Sequence, residues 1–205
     1  MSERVIVISD ANILFDLLST ELMDAFCRLP YDKWTSDFIL QEIKDPSQKE
    51  IINNTIASND LFIKNFTFEE IIAIKDFQVI NKHLSISDCS VWHMAKKMDA
   101  RLLSGDRKLR IAAEADGIKV SGILFVFDEL IAHEVIDSQT AASKLIYLMS
   151  VNNRLPKADC DERLKEWSTS SLPADEQNLI SSYLQSMRGE GKPIEEVFTN
   201  IEKSL

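Results

Sequence analysis

The strongest constraint on the fold is an alternation of short apolar runs with helical stretches, sustained from residue 4 to residue 121. Arg4-Val-Ile-Val-Ile-Ser9 reads as a strand, and helical spacing follows at about 12–18 and 20–28. Trp34-Thr35 leads into a short helix-like run, Asp37–Lys44, which Asp45-Pro46 should stop because the residue before a proline avoids helical geometry. A helix over 49–58, a strand over 61–66 and a helix over 67–75 opened by Thr67 continue the pattern. Next come a helix over 87–99, a strand over 100–104, a helix over 108–115 closed by Gly117, and a strand over 118–121. Strands separated by helices of about ten residues build βαβ units, and such units make a parallel sheet. The expected class is α/β: a central parallel sheet flanked by helices on both faces.

Beyond residue 122 the pattern turns helical, with apolar residues at helical spacing over 123–133, 138–151 and 159–168 and a turn at Asn152–Pro156. Two further helices are expected at 174–188 and 193–204, parted by Gly189-Glu-Gly-Lys-Pro193. In the last, Ile194, Val197, Phe198 and Ile201 form an apolar stripe that needs a partner surface, in its own domain or on another chain. The expected organisation is an α/β domain over 1–155 and an all-helical C-terminal extension over 156–205.

Composition narrows the class. Hydrophobic content of 45% with 27% charged residues describes an ordinary globular chain long enough to bury a core. The most apolar run, Gly122–Phe127, is interrupted by Asp128 and Glu129 and is too short to span a bilayer. Met1 leads directly into a strand without the pattern of a leader, and three cysteines without a CxxC pair argue against a disulfide framework. A cytoplasmic protein, with no membrane association, is expected. The net charge of −10 disfavours non-specific nucleic-acid binding, which depends on Lys and Arg at phosphates. A bound divalent cation would reverse the potential locally, so nucleic-acid chemistry stays open.

Four acidic residues sit where elements change: Asp10 after the first strand, Glu42 in the short helical run, Asp88 at a helix start and Asp106 after the strand over 100–104. Open parallel sheets gather ligands at the carboxyl ends of their strands, so acids placed this way converge in one crevice. Such a crevice suits a hard cation. Each acid also has a purely structural reading. Asp10 and Asp106 could cap helices, Asp88 could complete a capping box with Ser85, and Glu42 could face solvent. Basic residues lie close in sequence, among them Lys96, Lys97, Arg101, Arg107, Lys108 and Arg110. Trp92 and Met94 are expected in the core, and His83, His93 and His133 lack zinc spacing with the cysteines.

Asp10-Ala-Asn12 after an apolar strand, Glu42 on an early helix, Ser87-Asp88 opening a helix and Leu103-Ser-Gly-Asp106 after a strand together resemble the PIN-domain pattern. The likeness covers roughly residues 4–155, and Asn153-Arg-Leu-Pro156 is similar to a subset of PIN proteins with a helical C-terminal extension. The resemblance implies a metal-dependent endoribonuclease, and bacterial members include VapC-like toxins neutralised by a small antitoxin. It implies Mg²⁺ or Mn²⁺ held by Asp10, Asp88 and Asp106, with Glu42 the fourth catalytic acid and Asn12 and Ser104 supporting. Arg107 and Lys108 are candidate phosphate contacts. Single-stranded or looped RNA is the implied substrate, an antitoxin or a second copy of the chain the implied partner. Two alternatives stay open: a PIN-fold interaction module or RNA-processing factor with little toxicity, and a phosphatase. A dehalogenase-type phosphatase wants an aspartate where Asn12 stands, and neither GxxxxGK[ST] nor GxGxxG is present.

Overall fold

The computed structural model describes residues 5–169. In chain order the described elements are β1 (Val5–Ser9), α1 (Ala11–Ser19), α2 (Met23–Arg28), β2 (Tyr31–Ser36), α3 (Asp37–Leu40), α4 (Pro46–Ala57), β3 (Phe62–Lys64) and α5 (Phe68–Ile80). They continue with α6 (Ile86–Lys97), β4 (Arg101–Leu103), α7 (Arg107–Ala115), β5 (Val120–Ser121), α8 (Ile123–Ala132), α9 (Ser138–Val151) and α10 (Lys157–Thr169). All five strands are parallel, in the order β3-β2-β1-β4-β5. The helices expected at 174–188 and 193–204, with their apolar stripe, lie outside the described residues.

The chain divides by its contacts into residues 1–135 and 136–205, and the pattern-based division at 155 falls within the second unit. The first unit holds the whole sheet. β1 is its centre: Val7 and Ile8 are fully buried, paired with β2 on one side and β4 on the other. Side chains alternate between faces along a strand. In β2, Trp34 and Ser36 face α6, where the Ser36 and Ser90 hydroxyls share a 2.8 Å hydrogen bond. Tyr31 and Lys33 face the other way, toward α8 and α2, and Tyr31 donates its hydroxyl proton to Glu129. The sheet therefore carries helices on both faces, as its sequence pattern implies.

β2 is the element that sequence pattern does not reveal as a strand. Its run Tyr-Asp-Lys-Trp-Thr-Ser is polar, yet Lys33 is buried. The ammonium donates to the carbonyls of Cys27 at 2.7 Å, Leu29 at 2.7 Å and Tyr31 at 3.1 Å. Those bonds replace the water that a buried charge would otherwise lose. The helix-like run after β2 is also shorter than its spacing suggests, ending at Leu40 with Gln41 as its cap. Pro46 does not end that run, which has stopped at Leu40, but starts the next helix. It occupies the first turn of α4, where its missing N–H is no loss, and Asp45 caps that helix.

Other boundaries follow from capping. Thr67 and Glu70 form a reciprocal capping box at the start of α5, and Gly117 adopts a φ of 81° just past α7. Trp92 and Met94 are buried, as expected, and the Trp92 indole donates to Asp116 at 3.2 Å. In the second unit α9 packs on α10, burying Leu145, Leu148, Cys160 and Leu164, and Asp137 caps α9 by accepting from the Thr140 amide at 2.7 Å.

Candidate active site

The strand order reverses direction between β1 and β4, so the crevice outside their carboxyl ends is the switch point where ligands of open parallel sheets bind. Asp10 stands there. Its amide extends the β1–β4 ladder by donating to Leu103 O at 3.0 Å. Its carboxylate then turns into the N-cap of α1, with Oδ1 accepting from the Ala11 amide at 2.6 Å. Oδ2 accepts from the Ser104 hydroxyl at 2.8 Å and from the Asn12 amide group at 3.1 Å. Ser104 and Asn12, chosen from sequence as supporting residues, thus hold one oxygen of Asp10 directly.

Asp10 is only 2% exposed, and no Lys or Arg pairs with it among the described residues. Burial pushes its carboxyl up from the ordinary 3.8 to about 6, and the nearby charge of Asp88 adds to the rise. The hydrogen bonds from Ser104, Asn12 and Ala11 offset part of it. Burial first, and the second carboxylate after it, make Asp10 costly to keep ionised.

Ser104 links a second acid to the first. While its hydroxyl donates to Asp10, its oxygen accepts the Asp106 amide at 3.0 Å. Asp106 is the N-cap of α7, with Oδ1 accepting from the amides of Lys108 at 2.8 Å and Leu109 at 2.9 Å. Asp88 arrives from the α6 side, in the first turn of a helix that packs across β1, β2 and β4. It completes the capping box with Ser85, accepting the Ser85 amide at 2.7 Å while its own amide donates to the Ser85 hydroxyl at 3.0 Å. For Asp10, Asp88 and Asp106 the capping readings are therefore all realised. They do not exhaust the carboxylates: the second oxygens of Asp88 and Asp106 accept no hydrogen bond among the described residues.

Glu42 is placed differently. It lies one residue past the cap of α3, in an exposed turn, held by its amide donating to Ile39 O at 3.0 Å. The helical setting expected for it is absent. The other acid at the carboxyl edge that sequence reading left out is Asp37, the first residue of α3, directly after β2. Its position became visible only with β2 itself.

The basic residues separate too. Arg107 and Lys108 are exposed, whereas Arg110 reaches back to donate to Ser104 O at 3.3 Å. A spacing of four from Asp106 along α7 puts Arg110 over the same end of the sheet, a signal present in the sequence. Gly122 leaves room for the guanidinium: a Cβ there would stand 3.3 Å from Arg110 Nη1.

Among the described residues no three His, Cys, Asp or Glu side chains are gathered closely enough to form a ready metal cage. The donor set still fits a divalent cation. The oxygens are hard, Asp10 and Asp88 already repel one another, and Mg²⁺ keeps most of its waters and needs few protein ligands. Asp10, Asp88 and Asp106 are the residues that would hold it. No helix among the described residues is long and apolar enough to cross a membrane.

No curated relative matches the chain at a significant level. The model of a PIN-domain family matches residues 6–169 and so spans β1 through α10, including every acid described above. That fold is a nuclease-type fold whose members commonly use divalent metals. With a five-stranded parallel sheet, an acidic crevice at its switch point and this match over most of its length, the chain belongs to the PIN-domain family.

Proposed function

We propose that the protein is a divalent-metal-dependent endoribonuclease that cleaves single-stranded or looped RNA. The observation that carries the reading is Asp10: a buried carboxylate, unpaired by any Lys or Arg among the described residues, raised to about 6 beside Asp88 at the switch point. A group so placed is costly to keep ionised and gains from a cation, which is how hydrolytic sites are tuned.

Asp10, Asp88 and Asp106 would hold Mg²⁺ or Mn²⁺, which when bound would neutralise negative charge at the phosphodiester. The protein's own part is orientation. Ser104 and Asn12 fix Oδ2 of Asp10, and the same Ser104 hydroxyl fixes the loop that carries Asp106. Glu42, exposed in the turn after α3, is the acid assigned to take the proton of the attacking water at its carboxylate. The water oxygen bonds to phosphorus, the bond to the 3′ oxygen breaks, and that oxygen takes a proton from solvent water, so the products carry a 5′-phosphate and a 3′-hydroxyl. Arg110 stands where it can hold a phosphate next to the cleaved one, with Arg107 and Lys108 further out.

The biological role that fits this chemistry is the toxin of a toxin–antitoxin pair. A protein partner, a small antitoxin or a second copy, has a surface to cover. α5 leaves Phe68 at its start and Val79 and Ile80 at its end exposed, apolar side chains that a partner would cover.

The test is cleavage of a mixed-sequence single-stranded RNA with Mg²⁺ or Mn²⁺ and with EDTA, for wild type and Asp10→Asn, with the product ends identified. Metal-dependent cleavage lost in the variant bears the reading out. A wild type that cleaves no RNA with either metal refutes it, and induced expression without growth arrest refutes the toxin role alone.

A further inference from the structure

α6 carries more than Asp88. One and a half turns further along, roughly 7.5 Å down the axis at 1.5 Å per residue, His93 faces a cavity of about 240 Å³ between the sheet and the start of α5. Its Nε2 is buried and has no hydrogen-bond partner among the described residues. Buried polar nitrogens are ordinarily paired, so this one has room for an acceptor or donor from outside.

The surroundings state what kind. Trp34 and Phe66 supply aromatic surface, the Phe66 ring lying 6.4 Å from the His93 ring and 5.7 Å from that of Phe38. Lys64 and Lys97 bring positive charge to the same cavity. Glu70 also lines it, but is engaged by Lys64 at 3.0 Å and by the Thr67 amide at 2.8 Å. Burial, with Lys97 and Lys64 adding to it, holds the imidazole of His93 below its ordinary value despite Glu70, so the ring is neutral near pH 7. A flat heteroaromatic ring with a polar edge and an attached anion matches every one of these groups.

The cavity lies against β2 and β3 on the sheet face that α6 covers, on the helix that begins with Asp88. Trp34 is in register with Ile8 of β1 and Phe62 of β3, and Ser36 with Lys64. Two strand spacings, roughly 10 Å, separate β1 from β3, and the cavity extends along α6 from His93 to Met98. We propose that this cavity takes the base of a nucleotide flanking the cleaved bond of the RNA. Phe66 and Trp34 are its walls, His93 Nε2 its hydrogen-bond partner, and Lys97 its contact to an adjoining phosphate. The inference rests on the ribonuclease reading and adds to it a source of sequence preference. The aromatic surface serves every base, while the hydrogen bond to His93 discriminates among them.

Two measurements on the full chain test it. In the first, the four nucleoside monophosphates are titrated into the protein in EDTA, and the histidine imidazole resonances are followed by NMR. The His93 signals, identified by their loss in His93→Gln, should move with at least one nucleotide while those of His83 and His133 stay. Lys97→Ala, at an exposed position, should weaken that binding several-fold without disturbing the fold. In the second, Phe66→Ala should raise KM for a single-stranded oligoribonucleotide roughly tenfold with kcat retained. RNA cleavage by a wild type whose His93 signals stay still, or by a Phe66→Ala protein with unchanged KM, overturns the pocket and leaves the ribonuclease reading standing. Moving His93 signals in a protein that cleaves no RNA overturn the ribonuclease reading, and with it the assignment to a cleaved strand.

Discussion

Replacing Asp10 by asparagine should make the metal-free protein more stable near neutral pH. Its carboxyl rises from 3.8 to about 6 on folding, with burial the main cause. At about 1.4 kcal/mol for each tenfold change in proton affinity, keeping Asp10 ionised in the folded state costs about 3 kcal/mol. The folded state holds the proton more tightly than the unfolded chain. The cost is therefore absent below the unfolded value near 3.8, grows as pH rises toward about 6, and is complete above it. Asn keeps the shape and one acceptor oxygen but sets its amide against Asn12, which returns about 1 kcal/mol of the gain. Urea unfolding of wild type and Asp10→Asn in EDTA should show the variant about 2 kcal/mol more stable near neutrality. The advantage should vanish, and reverse slightly, below the ordinary carboxylate range. With Mg²⁺ or Mn²⁺ at a hundredfold its dissociation constant the wild type should gain about 2.7 kcal/mol and the variant nothing. A stability difference that does not change with pH would refute the argument that burial of an unpaired charge sets the properties of this site.

Ser104→Ala removes the hydroxyl that bridges Asp10 to the Asp106 amide, so it should cost about 1–3 kcal/mol of stability and lower metal affinity together, read by denaturation with and without metal. Glu42→Gln should lower kcat for RNA cleavage without moving the melting temperature, because the side chain is exposed and its backbone alone holds the turn. Lys33→Met should destabilise by about 3 kcal/mol or more, since the carbonyls of Cys27, Leu29 and Tyr31 lose a charged donor, and a calorimetric melt measures it. Wild-type cleavage should fall as pH drops through about 6, where Asp10 takes up its proton and competes with the cation, and raising the metal concentration should shift that fall to lower pH.

Local sequence carried the class of fold because periodicity and capping are local. β1, β4 and β5 have an apolar residue or a turn signal at each end, and Ser85, Asp106 and Thr67 announce the helices that they cap. β2 escaped because the partner that satisfies Lys33 is a set of carbonyls, two of which lie outside its own strand. Missing β2 also hid Asp37 and drew the following helix too far, which put Glu42 in a helix that ends before it.

The capping roles of Asp10, Asp88 and Asp106 could be named from the chain alone, because a cap is set by the residues just after it. Chain order, however, says nothing about which strand lies beside which. Only the tertiary arrangement set β1 next to β4, bringing Ser104 from 94 positions away onto Asp10, and laid α6 across the sheet so that the charge of Asp88 reaches the same carboxylate. The same packing excluded water from Asp10. A pKa is a property of the dielectric and the charges around a group, and those are assembled by contacts between distant segments. The sequence by itself therefore determined most of the elements and the residue types at their ends, while the tertiary structure alone decided that β2 is a strand and which of those residues share one field.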